Sequence, residues 1–298
     1  MRLPFGLDHA KTARLSDEPP PVPPVPEVLA ETLSNRYSIE REVARGGMAT
    51  IYLAHDVRDG RLAAIKVMHP GPAAELGAER FHREIEIAAS MAHPLIVPLY
   101  ESGSAGSLLY YIMPYVEGET LYDRVKREKR IPLEDALRIT FDVAAALGYA
   151  HSRGVLHRDV KPENILLAGG RALVADFGLA RAIGAAGYQK LTSTGIIVGT
   201  VFYMSPEQVR EDRDLDQRAD VYSLGCVLYE MLAGEPPYTG ASLQKLVAGI
   251  IRGPIPSVRR LNAGVPAVVD ETITRALAKL PAGRFATMEE FTAALPRV

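Results

Sequence analysis

The sequence predicts an α+β protein in which a sheet-rich part with one main helix precedes a longer, mostly helical part. From Tyr37, the runs YSIEREVA and ATIYLAHDV flank a glycine turn, and RLAAIKVM follows, which favours three antiparallel strands. AERFHREIEIAASMA has apolar residues at helical spacing and stops before His93-Pro94. Two further β-like runs, IVPLYES and LLYYIMPYV, complete the sheet-rich part.

Beyond Gly118 the apolar spacing becomes helical. PLEDALRITFDVAAALGYAHSRG predicts one long helix, and DVYSLGCVLYEMLAG predicts a second, from Asp220 to Gly234. Between them, NILLAGGRALVADFG predicts a short hairpin whose glycine pair folds Asn164 back toward Asp176.

Composition excludes several classes of protein. The chain has 298 residues, 47% hydrophobic, and a formal net charge of −2, which gives no general electrostatic reason to expect nucleic acid or an anionic membrane as partner. The single cysteine, Cys226, rules out an intramolecular disulfide. No run approaches the ~18 apolar residues of a membrane-spanning helix, and the start lacks a signal-peptide core. A cytoplasmic location is therefore predicted.

The first 36 residues differ from the rest of the chain. They contain PPPVPPVP, which favours extended polyproline II over a helix. Residues 1–36 are therefore predicted to be a disordered, proline-rich tail. A solvated linker is the preferred interpretation, with docking to an SH3-like or WW-like partner as the alternative.

The chemistry is concentrated in HRDVKPENILL and the hairpin that follows it. Asp159 stands five residues before Asn164, with Lys161 between them, and Asp176 comes twelve residues after Asn164. The hairpin brings the oxygens of Asn164 and Asp176 to one mouth, as a hard cation such as Mg²⁺ requires.

The motifs AIK, HRDxKxxN, DFG and SPE, in this order, resemble those of bacterial Hanks-type (eukaryotic-like) serine/threonine protein kinases. The resemblance runs from Tyr37 to the C-terminus. It implies a bilobal kinase fold, with an N-lobe over about 37–116, a C-lobe over about 117–298, and ATP bound between them.

The resemblance also implies roles for the charged residues. Lys66 would reach the α- and β-phosphates and pair with Glu84 of the helix. Asp159 would accept or orient the proton of the substrate hydroxyl, and Lys161 would neutralise charge on the transferring phosphoryl group. The metal would be Mg²⁺, with Mn²⁺ as an alternative, held by Asn164 and Asp176. His157 is interpreted as structural, supporting the core beside Phe177.

The glycine loop VARGGMAT departs from a full G-x-G-x-x-G motif at Ala44 and Ala49. Ala49 is shared with many of the bacterial kinases that the chain resembles, and Ala44 is tolerable if the backbone there is extended. Pro114 lacks an N–H, so adenine is expected to bond a neighbour, Val116. Met113 matches the gatekeeper position. The complete set of residues assigned to the nucleotide is Ala44, Gly46, Gly47, Ile51, Ala64, Lys66, Met113, Tyr115 and Val116.

Substrate class follows from the same resemblance. Lys161 and Thr200, in GTVFYMSPE, match the pattern of serine/threonine rather than tyrosine specificity. Glu207 is expected to pair with Arg284 and close the peptide-binding lobe.

Regulation is predicted from Arg158, a fixed cation to which a phosphate on the activation segment could bind. Thr192 and Thr194, in KLTSTG, match positions where bacterial relatives autophosphorylate. An ordinary polar loop is the alternative interpretation.

Two other functions fit parts of the sequence. Ala44 and the proline-rich tail suggest a pseudokinase or docking module, which the intact catalytic set argues against. A small-molecule phosphotransferase of related fold is disfavoured by SPE, Thr200 and Arg284. The expected partners are ATP and proteins with Ser or Thr, with no nucleic acid and no membrane segment in this chain. An N-lobe homodimer is left open.

Overall fold

The structure is a computed structural model that describes residues 25–69, 77–177, 201–212 and 214–297. Its first part is a five-stranded antiparallel sheet of order β1-β2-β3-β5-β4. The strands are β1 (Tyr37–Arg45), β2 (Ala49–Asp56), β3 (Leu62–Met68), β4 (Glu101–Ala105) and β5 (Leu108–Pro114). Helix α1 (Glu27–Leu33) precedes the sheet, and α2 (Ala78–Ala89) lies between β3 and β4.

The second part is mostly helical. Its helices are α3 (Leu121–Glu128), α4 (Leu133–Ser152), α5 (Pro206–Val209), α6 (Arg218–Ala233), α7 (Leu243–Arg252), α8 (Ala267–Ala276) and α9 (Met288–Ala293). A small antiparallel sheet of β6 (Glu119–Thr120), β7 (Ile165–Ala168) and β8 (Arg171–Val174) lies where the two parts meet. The predicted α+β architecture, with a sheet-rich first part and a mostly helical second part, is thus confirmed.

Helix α1 corrects the predicted tail. That tail was placed over residues 1–36, but Glu27–Leu33 is helical, and Leu29 and Leu33 are buried in one cluster with Tyr37. The spacing of the two leucines puts both on one helical face. The cost of ordering this segment is therefore offset by apolar burial against the outer face of the sheet. Residues 1–24 lie outside the described residues.

The run IVPLYES was predicted to be a strand, and its first five residues are not. Strand β4 begins only at Glu101, and Ile96 forms an isolated parallel bridge to Val174. Val97 donates its N–H to the carbonyl of Val174 at 2.9 Å, and Val174 donates to Leu95 at 2.8 Å. The run therefore ties the N-lobe to β8, directly before the segment that carries Asp176.

Helix α6 forms the centre of the C-lobe. All but the first of its residues are buried, and its Cys226 is a free thiol within the core. A helix buried on every side is apolar on every side, which explains the apolar run of the sequence. In the described part of the chain, no helix has both the length and the apolar character needed to cross a membrane.

Helix α6 ends at its C-cap residue, Gly234, whose backbone is left-handed with φ of 87°. The N–H of Gly234 donates to the backbone carbonyl of Glu230. A Cβ on Gly234 would lie 2.5 Å from the carbonyl oxygen of Lys129, closer than real side chains approach. We therefore expect Gly234→Ala to lower the free energy of unfolding by ~2 kcal/mol or more, as measured by urea denaturation.

Gly170→Ala is the matched control for this prediction. Its φ is 76°, but a Cβ there would meet nothing within 4 Å, so only backbone strain remains, about 1 kcal/mol. Equal costs for the two substitutions would contradict the packing argument at Gly234.

Candidate active site

An apolar cluster lies between the inner face of the large sheet and the β7–β8 hairpin, in a region that we call the cleft. It contains five residues predicted to contact the nucleotide, together with Leu166 and Ala175 from the C-lobe side. The five are Ile51, Ala64, Met113, Tyr115 and Val116. Sequence reasoning missed Leu166 and Ala175, although both flank recognised motifs.

The glycine loop connects β1 and β2 at the rim of this cleft. Ala44 lies in β1 opposite Ile51, so its backbone is extended, as its methyl group requires. Gly46 and Gly47 are exposed at the tip, where Gly46 donates its N–H to the carbonyl of Ala49 at 2.9 Å. The tip thus remains open to a ligand.

His69, at the end of β3, contacts this loop and was not predicted. Its Nδ1 lies 3.1 Å from the carbonyl oxygen of Gly47, and its Nε2 lies 3.0 Å from the hydroxyl of Thr50. Its backbone N–H also donates to the carbonyl of Met48 at 2.8 Å. The histidine therefore connects the loop to the strand that carries Lys66.

The backbone directly after Met113 can offer a ligand the N–H of Val116. Pro114 has no N–H, and the N–H of Tyr115 donates to the carbonyl of Leu62 at 3.2 Å. Within the described residues, no group accepts a hydrogen bond from the N–H of Val116. A half-buried donor without a partner, set beside an apolar slot, fits an adenine ring.

Three polar side chains meet in the loop before β7. Lys161 Nζ donates to Asp159 Oδ2 at 2.8 Å, and Asn164 Nδ2 donates to the backbone carbonyl of Asp159 at 2.8 Å and to its Oδ2 at 3.1 Å. Burial alone would lower the pKa of Lys161, but the charge and hydrogen bond of Asp159 outweigh it and raise that pKa. The lysine is therefore held in its charged form.

Asp220, at the start of α6, fixes this loop from below and was not predicted as a site residue. Its carboxylate accepts the backbone N–H groups of His157 and Arg158 at 2.9 and 2.8 Å and contacts His151 Nε2 at 2.7 Å. Burial alone would raise the pKa of Asp220, but these partners lower it. Arg158 takes φ of 66°, a strained conformation that these bonds maintain.

His157 has the structural surroundings that the sequence suggested. It is fully buried, its Nε2 lies 2.9 Å from the carbonyl oxygen of Ala175, and its ring packs edge-on against Phe177 at 4.5 Å. The histidine thus holds the residues on either side of Asp176.

Asp176 follows β8 with φ of 67°, a left-handed conformation that aspartate tolerates better than most residues. Its Oδ2 forms an ion pair with Lys66, and its Oδ1 accepts a hydrogen bond from the hydroxyl of Tyr111 at 2.5 Å. Burial alone would raise the pKa of Asp176, but Lys66 and Tyr111 outweigh it and lower the pKa. The carboxylate is therefore held ionised.

The pair expected between Lys66 and Glu84 is not formed in this structure. Among the described residues, the acid that Lys66 contacts is Asp176. Glu84 is buried on α2 and has an interaction of its own. The expectation rested on the family pattern. In this structure the ammonium of Lys66 forms its ion pair with the carboxylate of Asp176, at the end of the hairpin.

The oxygens near Asp176 fit a hard cation. The amide nitrogen of Asn164 donates to Asp159, and no hydrogen bond to its Oδ1 comes from the described residues. The N–H of Ala175 donates to the carbonyl of Asn164 at 2.9 Å, which joins this residue to the segment leading into Asp176. One amide and one carboxylate leave most of the coordination shell to phosphate and water, the arrangement that Mg²⁺ prefers.

The C-lobe contains the predicted pair of Glu207 and Arg284. Arg284 donates to both carboxylate oxygens of Glu207, at 2.6 and 2.7 Å, and its side chain is fully buried. A second buried acid lies on α6. The hydroxyl of Tyr203 donates to Glu230 at 2.6 Å, and burial raises the pKa of Glu230 to about 7. Thr192, Thr194 and Thr200 lie outside the described residues.

Comparisons with known proteins agree with this geometry. Residues 37–286 match the protein kinase domain family. The serine/threonine-protein kinase PknB of Mycobacterium leprae is 43% identical over 273 residues, covering 89% of this chain and 43% of that protein. PrkC of Bacillus subtilis is 36% identical over 268 residues, covering 89% of this chain and 41% of that one. The chain thus spans less than half the length of both relatives.

A solved structure has the same fold. The crystal structure of a variant of the Mycobacterium tuberculosis PknI kinase domain is 33% identical, with a TM-score of 0.69. The alignment covers 87% of this chain and 93% of that domain.

Proposed function

The chain belongs to the protein kinase family, and from this membership we propose that it is an ATP-dependent protein serine/threonine kinase. The observation that carries the proposal is the group formed by Asp159, Lys161 and Asn164 beside Asp176. Phosphoryl transfer depends on positioning and on electrostatic stabilisation, and this group would supply a proton acceptor, a fixed cation and two oxygens able to bind a metal.

Each residue has a distinct task in this proposal. Adenine would lie in the apolar slot and accept a hydrogen bond from the N–H of Val116. Asp159 would orient the hydroxyl of the incoming serine or threonine, with Lys161 beside the transferring group. Mg²⁺, which neutralises phosphate charge when bound, would be held by Asn164 and Asp176, with Mn²⁺ as the alternative ion.

Lys66 would exchange partners in the active complex. Its ammonium contacts Asp176 in this structure, and the phosphates of ATP would offer it a stronger concentration of negative charge. Pairing with Glu84 would then hold the lysine against the nucleotide, as the family pattern implies.

Regulation and assembly complete the proposal. Autophosphorylation at Thr192 or Thr194 would place a phosphate near Arg158, and the resemblance to bacterial kinases supports it. A cytoplasmic location is supported by the use of ATP. A homodimer through the N-lobe rests on the resemblance alone, and sedimentation analysis of the purified chain tests it.

The test of the activity is transfer of label from γ-labelled ATP to peptide mixtures that contain either serine and threonine or tyrosine as the only acceptor. Label is expected in the serine/threonine mixture with Mg²⁺ present, and chelation of the metal should abolish it. Replacing Mg²⁺ with Mn²⁺ in parallel identifies the preferred ion. Transfer to the tyrosine mixture alone would contradict the proposed specificity.

A further inference from the structure

Tyr111 is a buried polar side chain that the residue roles above leave without a task. It lies on β5, two residues before Met113, and therefore on the same face of the strand. It is fully buried in the cleft cluster, and its ring lies 6.4 Å from that of Phe81 on α2. Its hydroxyl reaches Asp176 from the interior of the N-lobe.

The carboxylate of Asp176 is thus held by two different donors, one on each oxygen. Tyr111 donates to Oδ1 at 2.5 Å, and Lys66 contacts Oδ2. The two donors are also neighbours, because Lys66 Nζ lies 5.9 Å from the centre of the Tyr111 ring. With both oxygens engaged, the plane of the carboxylate is fixed.

The two donors differ in how readily they can leave. Lys66 has a long flexible side chain and a charge that phosphate attracts, so its contact with Oδ2 is exchangeable. Tyr111 is neutral, has only two side-chain torsions and is fully buried. Its hydroxyl therefore cannot exchange Asp176 for a water molecule. Losing this bond would leave the buried hydroxyl of Tyr111, and Oδ1 of Asp176, without a partner.

We propose that Tyr111 is a positioning residue for metal binding: it holds Oδ1 of Asp176 from inside the cleft, so that Oδ2 is the oxygen that faces Mg²⁺. The inference rests on the proposed function, because Asp176 serves as a metal ligand only if the chain binds a nucleotide together with a metal ion. Groups that orient a metal ligand through a hydrogen bond typically contribute a factor of ~10 to 100 to metal affinity.

The test is isothermal titration of ADP into the wild-type chain and into Tyr111→Phe, with Mg²⁺ and with a chelator. The phenylalanine keeps the ring and removes only the donor. We expect the factor by which Mg²⁺ strengthens ADP binding to fall about 10-fold in Tyr111→Phe. The metal-free ADP affinity should stay unchanged, which a loss of packing in the cleft would not produce.

Tyr110→Phe is the matched control. Tyr110 is the adjacent residue on the same strand, but it belongs to the cluster on the outer face of the sheet and covers Gly103. Its substitution should leave the Mg²⁺ effect at the wild-type value. Melting temperatures of all variants establish that they are folded, and Tyr111→Ile, a second variant without the hydroxyl, should show the same loss.

Two results would overturn the inference alone. One is a wild-type Mg²⁺ effect that Tyr111→Phe retains. The other is a larger Mg²⁺ effect in Tyr111→Phe, which would make the tyrosine a competitor of the metal. If Mg²⁺ does not strengthen ADP binding even in the wild-type chain, both the inference and the metal part of the proposed function are wrong.

Discussion

Asp159→Asn is expected to lower the turnover number for phosphoryl transfer by about 10²- to 10⁴-fold. Asparagine keeps the shape of the side chain but is neutral, so it cannot accept the proton of the substrate hydroxyl. It also weakens the bond that holds Lys161, now 2.8 Å from the carboxylate. Steady-state measurement of ADP release with a serine/threonine peptide checks the expectation.

A second carboxylate on the same lobe serves as the control. Asp135 lies on α4 and pairs with Arg124 and Arg138, away from the cleft. Asp135→Asn should leave the turnover number within about twofold of the wild-type value. Asp135 has no role in the proposed transfer, and partly exposed ion pairs contribute little to the stability of the fold. Mg-ADP affinity should be similar in all three proteins. An Asp159→Asn variant with near-wild-type turnover would remove Asp159 from its proposed role.

Arg284→Ala is expected to lower the free energy of unfolding by ~3 to 5 kcal/mol. The substitution leaves the buried carboxylate of Glu207 without its partner. It also removes the donors to the backbone carbonyls of Arg218 and Ala278, at 2.9 and 2.8 Å. Thermal unfolding should show a melting temperature lower by roughly 10 °C.

The double variant Glu207→Leu/Arg284→Met separates the charge from the packing. With both charges removed, neither residue of this pair leaves an unpaired buried charge, so the double variant should be more stable than Arg284→Ala alone. Arg61→Ala, which removes an exposed pair with Asp59, should leave the melting temperature unchanged. If Arg284→Ala behaved like Arg61→Ala, the buried pair would not support the C-lobe.

The parts of the fold that the sequence predicted are those set by local patterns. The strands that flank the glycine loop and the hairpin before Asp176 follow from alternation and turn residues, and α4 and α6 follow from helical spacing. The catalytic loop was recognisable because its residues are close in the chain. Asp159, Lys161 and Asn164 fall within six consecutive positions, and the structure brings them together.

What the sequence did not predict depends on contacts between distant segments. Asp220 is more than 60 positions from the loop it supports, and Tyr111 is 65 positions from Asp176. In the sequence, Tyr111 is one of two adjacent tyrosines in an apolar strand, with no sign that its hydroxyl meets a charge. No local pattern in the sequence indicates the contact between Lys66 and Asp176, because the two residues are 110 positions apart.

The most direct test of the proposed kinase activity is incubation of the purified chain with Mg-ATP, followed by intact mass measurement and phosphosite mapping, beside Asp159→Asn. Phosphate on Thr192 or Thr194 in the wild-type chain, and none in the variant, is the predicted result. Equal phosphate on both proteins would indicate a contaminating kinase. No phosphate on the wild-type chain or on an added serine/threonine substrate, with Mg²⁺ or Mn²⁺, would contradict the central claim.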